Sequence, residues 1–563
     1  MRSVFLVALC ALIIVVQSAW ANWVQDGVAL CTATGDQRYL QLTSDGAGGA
    51  IVTWQDNRSG TNWGIYAQRV NASGAVQWTI DGVVLCTAAA TQYNPSIISD
   101  GAGGAIVTWE DIRSGNFDIY AQRVNASGAL QWTAEGVALC MASWDQFNAK
   151  ITCDGEGGAF VTWVDDRSGH WDIYAQRVSA SGTAQWAADG VAVCTAAGDQ
   201  WGATIISDGE GGAIVTWQDK RGGNHWDVYA QRVNASGSVQ WLTDGVALGS
   251  APGDQEYPMA VSDGTGGAVV TWMDNPSGAS YDIYAQRVNA SGAAEWTTNG
   301  VALCAAGQDQ YAPTITLDGA GGAIVTWIDN RSGDQSSPML DIYAQRVDVS
   351  GTVQWTTDGV AVCTATRNQA YPTITSDGVG GAIVTWYEYR SRDYDIYAQR
   401  VNALGAVRWM PNGVVLCAAT GAQQEPRIAS DGAGGAIVAW HDQRGGSNGD
   451  IYALKVDANG FAPLAATDVQ TVPIELHQNY PNPFNPTTTV TYSIADRYKV
   501  TLKIFDLSGR CVACLVDRQQ EKGSYAVEWK GKDERGNTVA SGIYLCRLAV
   551  GSQAIVRKMV LLR

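Results

Sequence analysis

Paired aspartate and arginine side chains recur at a fixed spacing and are the first candidates for chemistry. Each pair follows a tryptophan in the pattern W-x-D-x-R, and six copies are intact: Asp56 and Arg58, Asp111 and Arg113, Asp165 and Arg167, Asp219 and Arg221, Asp329 and Arg331, and Asp442 and Arg444. Such pairs could gather an anionic or sugar ligand. We interpret them instead as one structural network of hydrogen bonds and ion pairs, because a site for a single ligand needs asymmetry and these copies have almost none.

Aromatic residues between the repeated motifs are the second candidates. One group follows the Asp–Arg pairs: Trp63, Phe117, Trp171, Trp226, Tyr281 and Tyr394. A second group follows a repeated glutamine, with Trp144 as an extra residue nearby: Tyr39, Tyr93, Phe147, Trp201, Tyr257, Tyr311 and Tyr371. If both loops open on one face, their rings could stack against sugars. The predicted ligand-binding residues are Trp63, Trp144, Trp171, Trp201, Trp226, Tyr281 and Tyr394. The alternative is that these rings only hold loops onto the fold.

No residue pattern predicts a metal site, a cofactor or a catalytic triad. The four histidines, His170, His225, His441 and His477, are too scattered in the sequence for a zinc site or a nucleophile–base pair. We therefore predict no catalytic residue, no metal and no cofactor.

The elements that position these residues are repeats. The sequence D-G-x-G-G occurs eight times, beginning at Asp45, Asp100, Asp154, Asp208, Asp263, Asp318, Asp377 and Asp431. A period near fifty residues is typical of propellers and solenoids. Each copy contains β-branched segments such as Ala50 to Trp54, separated by Gly-rich turns, and four antiparallel strands per copy make a propeller blade. The sequence therefore predicts an all-β fold with an eight-bladed β-propeller over residues 22–460.

The outer strand of the ring is displaced between the chain ends. The segment W…DGVALC first appears at Trp23 to Cys31, before the first blade, and is missing after the last blade, which continues as FAPLAATD. This arrangement predicts that the N-terminal strand closes the ring by completing the last blade.

The chain begins with a targeting signal in our interpretation. Residues 1–21 combine Arg2, an apolar segment and the cleavage pattern Ala19-Trp20-Ala21. The net charge of −18 argues against a nucleic-acid partner, and no other segment is long and apolar enough to span a bilayer. We expect a protein that leaves the cytoplasm and has no transmembrane segment after processing.

The repeated cysteines do not read as a disulfide framework. Seven occupy one repeat position: Cys31, Cys86, Cys140, Cys194, Cys304, Cys363 and Cys417, with Gly249 in the remaining copy. Equivalent positions on neighbouring blades are about 10 Å apart, too far for a disulfide bond. We predict that they are reduced and buried.

Residues 23 to 460 resemble the sialidase-like propeller repeat proteins, whose blades read V-x-W-x-D-x-R-x-G-x-x-D-I-Y. In that family's Asp-box turn, this chain has Ser73 where the aspartate belongs, with Trp78 in place. The resemblance implies an Arg cluster, a Tyr–Glu pair and an acid Asp in any active sialidase. Only Tyr387-Glu388-Tyr389, with Arg390 and Arg392 nearby, offers a local candidate.

A second domain follows the repeats. Residues 461–476 form a Pro-containing linker, and six or seven short strands over residues 477–563 predict a small Ig-like sandwich. The pieces NYPNPFNP, VTLKIFDLSGR, ASGIYLCRL and KMVLLR resemble the type A C-terminal sorting domain of the type IX secretion system. The resemblance implies export through the periplasm, with residues 477–563 recognised by the translocon. In that domain Cys511, Cys514 and Cys546 replace apolar residues, and a bridge from the first pair to Cys546 is the alternative to free thiols.

The sequence therefore predicts a secreted or outer-membrane surface propeller that is not an enzyme and binds glycan or protein ligands. The alternative is a sialidase-like glycan hydrolase. An enzyme should gather unrelated carboxylates and arginines on one face, and the departures from the repeat are few: Asp334–Met339, Pro276 and Tyr387–Arg392.

Overall fold

The computed structural model describes residues 23–276, 278, 280–333, 339–389, 393–446, 448–462, 475–494, 497–506, 511–550 and 553–562. The predicted signal peptide (1–21), residues 463–474 of the linker, the insertion residues 334–338, and Arg390 and Arg392 lie outside these ranges. The chain divides into two compact units, residues 1–464 and 465–563. The described residues form strands and turns and no α-helix.

The first unit contains 32 strands. In chain order they are β1 (Val28–Cys31), β2 (Gln37–Ser44), β3 (Ala50–Asp56), β4 (Gly64–Val70), β5 (Val83–Cys86), β6 (Gln92–Ser99), β7 (Ala105–Asp111), β8 (Asp118–Val124), β9 (Val137–Cys140), β10 (Gln146–Cys153), β11 (Ala159–Asp165), β12 (Asp172–Val178), β13 (Val191–Cys194), β14 (Gln200–Ser207), β15 (Ala213–Asp219) and β16 (Asp227–Val233). The remainder are β17 (Val246–Gly249), β18 (Asp254–Ser262), β19 (Ala268–Asn275), β20 (Asp282–Val288), β21 (Val301–Cys304), β22 (Gln310–Leu317), β23 (Ala323–Asp329), β24 (Asp341–Val347), β25 (Val360–Cys363), β26 (Gln369–Ser376), β27 (Ala382–Glu388), β28 (Asp395–Val401), β29 (Val414–Cys417), β30 (Gln423–Ser430), β31 (Ala436–Asp442) and β32 (Asp450–Val456).

These strands form eight antiparallel four-stranded sheets, the blades of a propeller. In blade 1 the order from the centre outward is β2-β3-β4-β5, and blades 2 to 7 repeat it. The eight inner strands contact one another in sequence, and the last, β30, contacts the first, β2, so they enclose a central channel. The second strand of each blade, such as β3, is buried along all or nearly all of its length because blades cover both of its faces.

The N-terminal strand completes blade 8, whose order is β1-β32-β31-β30. Val28 of β1 pairs with Ala453 of β32. Trp23 Nε1 donates a hydrogen bond to Ala72 O in blade 1 at 3.1 Å. Trp78 makes the equivalent bond from blade 1 to Ala126 in blade 2. The first strand of the chain therefore joins blade 8 to blade 1 with the same contact that joins consecutive blades.

The repeated cysteines lie between blades. Cys31 of blade 8 is fully buried, 3.8 Å from Asp56 Oδ2 of blade 1, and burial raises the pKa of its thiol to about 12. All seven repeat cysteines are free. In blade 4 Gly249 replaces this cysteine, and a Cβ at Gly249 would lie 2.8 Å from the Trp272 ring of blade 5, so the indole leaves no room for a side chain there.

The second unit is a pair of packed sheets. Its strands are β33 (Glu475–Leu476), β34 (Thr488–Ile494), β35 (Tyr498–Phe505), β36 (Cys511–Gln520), β37 (Gly523–Trp529), β38 (Gly542–Val550) and β39 (Gln553–Leu561). Strands β33-β34-β37 form one sheet and β36-β35-β38-β39 the other, with Phe484, Tyr492 and Trp529 buried in the core between them. Cys511, Cys514 and Cys546 are free, so the disulfide considered from the sequence is not formed. No described helix is long and apolar enough to cross a membrane.

Candidate functional site

The repeated Asp–Arg pairs are internal braces of the six blades that carry the intact motif. Asp56 accepts hydrogen bonds from Trp54 Nε1 at 2.8 Å and from Arg58 Nη2 at 2.7 Å, and Arg58 also donates to Asp81 O. The carboxylate of Asp56 is buried, and the Arg58 guanidinium lies 3.8 Å from the centre of the Tyr66 ring. A second pair joins Arg69 to Asp45 at 2.9 Å. These charges neutralise one another and leave little to offer a ligand.

The inner strands differ more from blade to blade. Each carries a β-bulge two residues after its glutamine, but the residue type at and after the bulge varies. In blade 5 the pairing shifts between Glu256 and Met259, and the same shift occurs in every blade. The bulged residue has positive φ in all eight blades: Tyr39, Asn94, Asn148, Gly202, Tyr257, Ala312, Tyr371 and Glu425. Bulges re-aim side chains, and left-handed residues other than glycine gather at functional sites.

A cavity of about 320 Å³ lies in the channel beside these bulges. Its wall comes from the inner strands of blades 3 to 8, including Asn148, Trp201, Tyr257 and Tyr371. Tyr257 and Tyr371 remain 59% and 58% exposed. We call this the mouth cavity. A second cavity, of about 410 Å³, shares Met259, Thr314, Thr373 and Arg427 with it and extends to Gln41 and Leu42 of blade 1.

Two cations line the mouth cavity, Lys150 on β10 and Arg427 on β30. They occupy the same repeat position, two residues after the bulge, where the other blades carry Gln41, Ser96, Thr204, Met259, Thr314 and Thr373. Lys150 Nζ donates to Asn148 Oδ1 at 2.9 Å, and Arg427 Nη1 donates to the Pro426 carbonyl at 3.3 Å. Within the described part of the chain neither forms a salt bridge, unlike the arginines of the blade braces.

The surroundings of the cavity wall lower the pKa of Lys150. Burial among the inner strands lowers the pKa of Lys150, the charge of Arg427 lowers it further, and Glu110 opposes both. Lys150 keeps partial contact with the channel, so water moderates this decrease. Burial also lowers the pKa of Arg427, against the effect of Glu425, but an arginine side chain stays charged in proteins.

Glu110 of blade 2 positions the bulge that carries Asn148. Its Oε1 accepts the Asn148 N–H at 2.6 Å, and its Oε2 accepts Asn94 Nδ2 at 3.0 Å. Burial raises the pKa of this carboxyl, while these hydrogen bonds and Lys150 lower it. In blade 4, Gln218 makes the corresponding bond to the Tyr257 N–H at 3.1 Å. Both residues stand at x in W-x-D. A polar side chain at this position therefore fixes the backbone of two bulges that line the mouth cavity.

Of the seven aromatic residues predicted to bind ligand, Trp201 lines the mouth cavity. Trp171 packs on Trp201, with ring centres 4.7 Å apart. Trp144 is 68% exposed, and Trp63 lines a separate cavity of about 170 Å³. Three more rings are held by neighbouring side chains: Trp226 by Lys220, Tyr281 by a 2.8 Å bond to Glu256, and Tyr394 by packing on Tyr387.

The Tyr387-Glu388-Tyr389 candidate does not form an open site. Glu388 is fully buried and replaces the aspartate of the blade brace, accepting Trp386 Nε1 at 3.3 Å. Tyr387 is buried and stacks on Tyr371, and burial raises the pKa of its hydroxyl. The segment therefore supports the cavity wall from behind. Among the described residues, no three His, Cys, Asp or Glu side chains come together as a possible metal site.

Sequence reasoning did not find Lys150 and Arg427. It placed the aromatic residues that follow each glutamine in loops, whereas they lie within the first strand of the blade, which begins at the glutamine or, in blade 5, one residue before it. When the repeats are aligned at the glutamine, Lys150 and Arg427 fall at the same position, four residues later. The sequence alone could therefore have identified them.

Comparison with known proteins gives partial likenesses. Residues 486–553 match the FlgD Ig-like domain family, and no curated protein matches the chain by sequence. Among solved structures, an ulvan lyase bound to -[GlcA(1-4)Rha3S]- is 11% identical, with 65% of this chain and 93% of that chain covered and a TM-score of 0.43. The polysaccharide lyase Uly1 is 10% identical, with 68% and 92% covered and a TM-score of 0.39. The α-L-arabinanase of Penicillium chrysogenum, complexed with arabinobiose, is 10% identical, with 56% and 93% covered and a TM-score of 0.33.

These likenesses are ones of fold, a propeller like that of glycan-processing enzymes. The expectation that the chain is not an enzyme is contradicted, because the named neighbours are polysaccharide lyases and glycoside hydrolases.

Proposed function

We propose that this chain is an exported, glycan-active enzyme whose substrate binds in the mouth cavity. The observation that carries the proposal is the grouping, in that one cavity, of exposed aromatic rings and of two cations that form no salt bridge among the described residues, whereas the repeated Asp and Arg residues pair with one another. A concave site with apolar walls and a few polar groups is the usual form of a ligand site.

Tyr257 and Tyr371 supply the surface for a sugar. Both project from left-handed bulges and are more than half exposed. The C–H faces of a sugar ring pack on an aromatic ring, while the phenol hydroxyl bonds to sugar oxygens. Six blades, 3 to 8, contribute residues to the cavity wall, so several sugars of a chain could contact it at once.

The sugar-site assignment is tested with a panel of neutral and acidic polysaccharides, scored by retardation in affinity gels and by release of reducing ends. The migration of the wild-type protein should be retarded by at least one polysaccharide, and the protein should cleave that polysaccharide. The double variant Tyr257→Ala/Tyr371→Ala should lose at least tenfold in both. Trp144→Ala, which removes an exposed ring of the predicted set, is the control and should remain within twofold. Loss in Trp144→Ala alone would place the site elsewhere, and no interaction with any glycan would overturn the proposal.

The C-terminal unit is the proposed export signal. Its sequence elements resemble the type IX sorting domain, and its match to an Ig-like family supports a compact domain that a translocon could recognise. The implied partner is the type IX translocon, and the implied location is the cell surface or the medium after passage through the periplasm.

A further inference from the structure

We propose that the mouth cavity cleaves uronate-containing glycans by β-elimination, with Arg427 neutralising the uronate carboxylate and Lys150 acting as the base. This inference rests on the proposed function and names its substrate class. It follows from which charges line the cavity and which do not.

The cavity is built for an anion. Lys150 and Arg427 both line it, and neither has a carboxylate partner among the described residues. Each is bonded only to an uncharged acceptor of its own strand, the Asn148 amide oxygen and the Pro426 carbonyl. A partly buried cation without a counter-ion is costly, and a bound anion removes that cost.

The lining does not suit hydrolysis. Glycoside hydrolysis ordinarily uses two carboxyl groups on either side of the scissile bond. No Asp or Glu is among the residues that line the mouth cavity. Two carboxyl groups affect the pKa values of the cations: Glu110 that of Lys150 and Glu425 that of Arg427. Glu110 is buried and already accepts hydrogen bonds from Asn94 and Asn148.

The same lining suits elimination. A uronate carboxylate held by the Arg427 guanidinium would make the proton on the adjacent C5 more acidic, because the positive charge stabilises the carbanion-like transition state. The neutral amine of Lys150 takes the C5 proton, and the electron pair of the C5–H bond forms the C4=C5 double bond.

The C4–O bond then breaks, and its electron pair leaves with the glycosidic oxygen. That oxygen takes a proton from the hydroxyl of Tyr257 or Tyr371, both of which line the cavity. The products are a new chain end and a 4,5-unsaturated uronate. Exchange of one proton with solvent restores the lysine and the tyrosine, and no oxidant, metal or water molecule is consumed.

The assignment of roles follows from the two side chains. An arginine cannot serve as the base, since it keeps its proton in proteins. The pKa of Lys150 is lowered by burial and by Arg427, which brings its amine toward the range in which a lysine acts as a base. Glu110 faces Lys150 with the opposite effect, so the pH profile of the reaction reports the balance of these three groups.

The experiment compares polygalacturonate, alginate and hyaluronan with dextran sulfate and a neutral glucan. Release of reducing ends is measured beside the ultraviolet absorbance of the unsaturated uronate. We expect equal amounts of both products from at least one uronate polymer and none from the other two. Lys150→Arg should keep binding within about threefold but lose at least ~100-fold in rate, the usual contribution of a general base. Arg427→Met should weaken binding of the uronate polymer at least tenfold. Gln41→Met, at the same repeat position in blade 1, is the control and should match wild type.

The alternative outcomes separate the two proposals. Reducing ends without the absorbance would overturn elimination and leave a glycan-cleaving enzyme. Full elimination by Lys150→Arg would overturn the base assignment, and cleavage of the neutral glucan alone would overturn the substrate class. If none of the polymers is bound or cleaved, both proposals are wrong.

Discussion

The backbone N–H of Asn148 donates a hydrogen bond to Glu110 Oε1 at 2.6 Å, across the boundary between blades 2 and 3. Asn148 Oδ1 in turn accepts a hydrogen bond from Lys150 Nζ at 2.9 Å. A buried carboxyl of one blade therefore positions the bulge beside Lys150 in the next blade and raises the pKa of that lysine against the effect of burial.

Replacing Glu110 should change both stability and the pH profile. Glu110→Ala leaves the Asn148 N–H and Asn94 Nδ2 without their acceptor and should lower the free energy of unfolding by about 1–3 kcal/mol. Glu110→Gln keeps an acceptor but removes the charge that raises the pKa of Lys150, so the acid limb of the pH–rate profile should move to lower pH. Gln218→Ala, at the same position in blade 4, is the control for loss of a bulge hydrogen bond without loss of charge. An unmoved acid limb in Glu110→Gln would contradict this coupling.

Blade 5 should be stabilised by removing a carboxylate. Burial, with Asp274 as the largest charge effect, raises the pKa of Asp282 to about 6, and Pro276 stands where other blades carry the arginine that neutralises the brace. Because this folded-state pKa lies above the unfolded value near 4, stability is lost as pH rises through the interval between them. Asp282→Asn should therefore add about 1 kcal/mol at pH 7, allowing for solvent screening, and nothing below about pH 4.

Urea unfolding of the Asp282→Asn variant across that interval provides the measurement. Blade 1 has Gly64 at this position, so the fold tolerates loss of the carboxylate. If the variant is less stable at neutral pH, or if its free energy of unfolding changes by the same amount at every pH, the Asp282 carboxylate does not destabilise the folded state.

Ring closure should dominate the stability of the propeller. Deleting residues 23–31 removes the buried Trp23, Leu30 and Cys31 and exposes the edge of β32. The burial of these side chains alone corresponds to roughly 5 kcal/mol, so the melting temperature should fall sharply. Truncation after residue 464, which removes no blade strand, is the control and should leave it unchanged. Equal melting of the deletion variant and the full chain would contradict closure by β1.

The architecture was predictable because each blade repeats the same local pattern. The alternating apolar strands, the Gly turns and the displaced W…DGVALC segment predict eight four-stranded blades and their closure, and the structure has both. The bulge was not predictable, because Tyr39, Asn148, Ala312 and Glu425 share a backbone conformation but no residue type. The mouth cavity depends on that bulge, and its cations are two departures at one otherwise uncharged repeat position.

The export proposal has its own test in a host with the type IX system. A periplasmic reporter fused to residues 465–563 should reach the surface or the medium, and the chain truncated after residue 464 should stay in the periplasm. The reporter with no fusion is the control. Export of the truncated chain, or retention of the fusion, would show that the C-terminal unit is not the signal.

The central claim is that a glycan occupies the mouth cavity, and a crystal structure with an oligogalacturonate tests it most directly. We expect a sugar ring against Tyr257 or Tyr371, a carboxylate within hydrogen-bond distance of the Arg427 guanidinium, and the Lys150 amine directed at C5 of the same residue. Sugar bound only at the outer loops, such as at Trp144, with the mouth cavity holding water, would contradict the account.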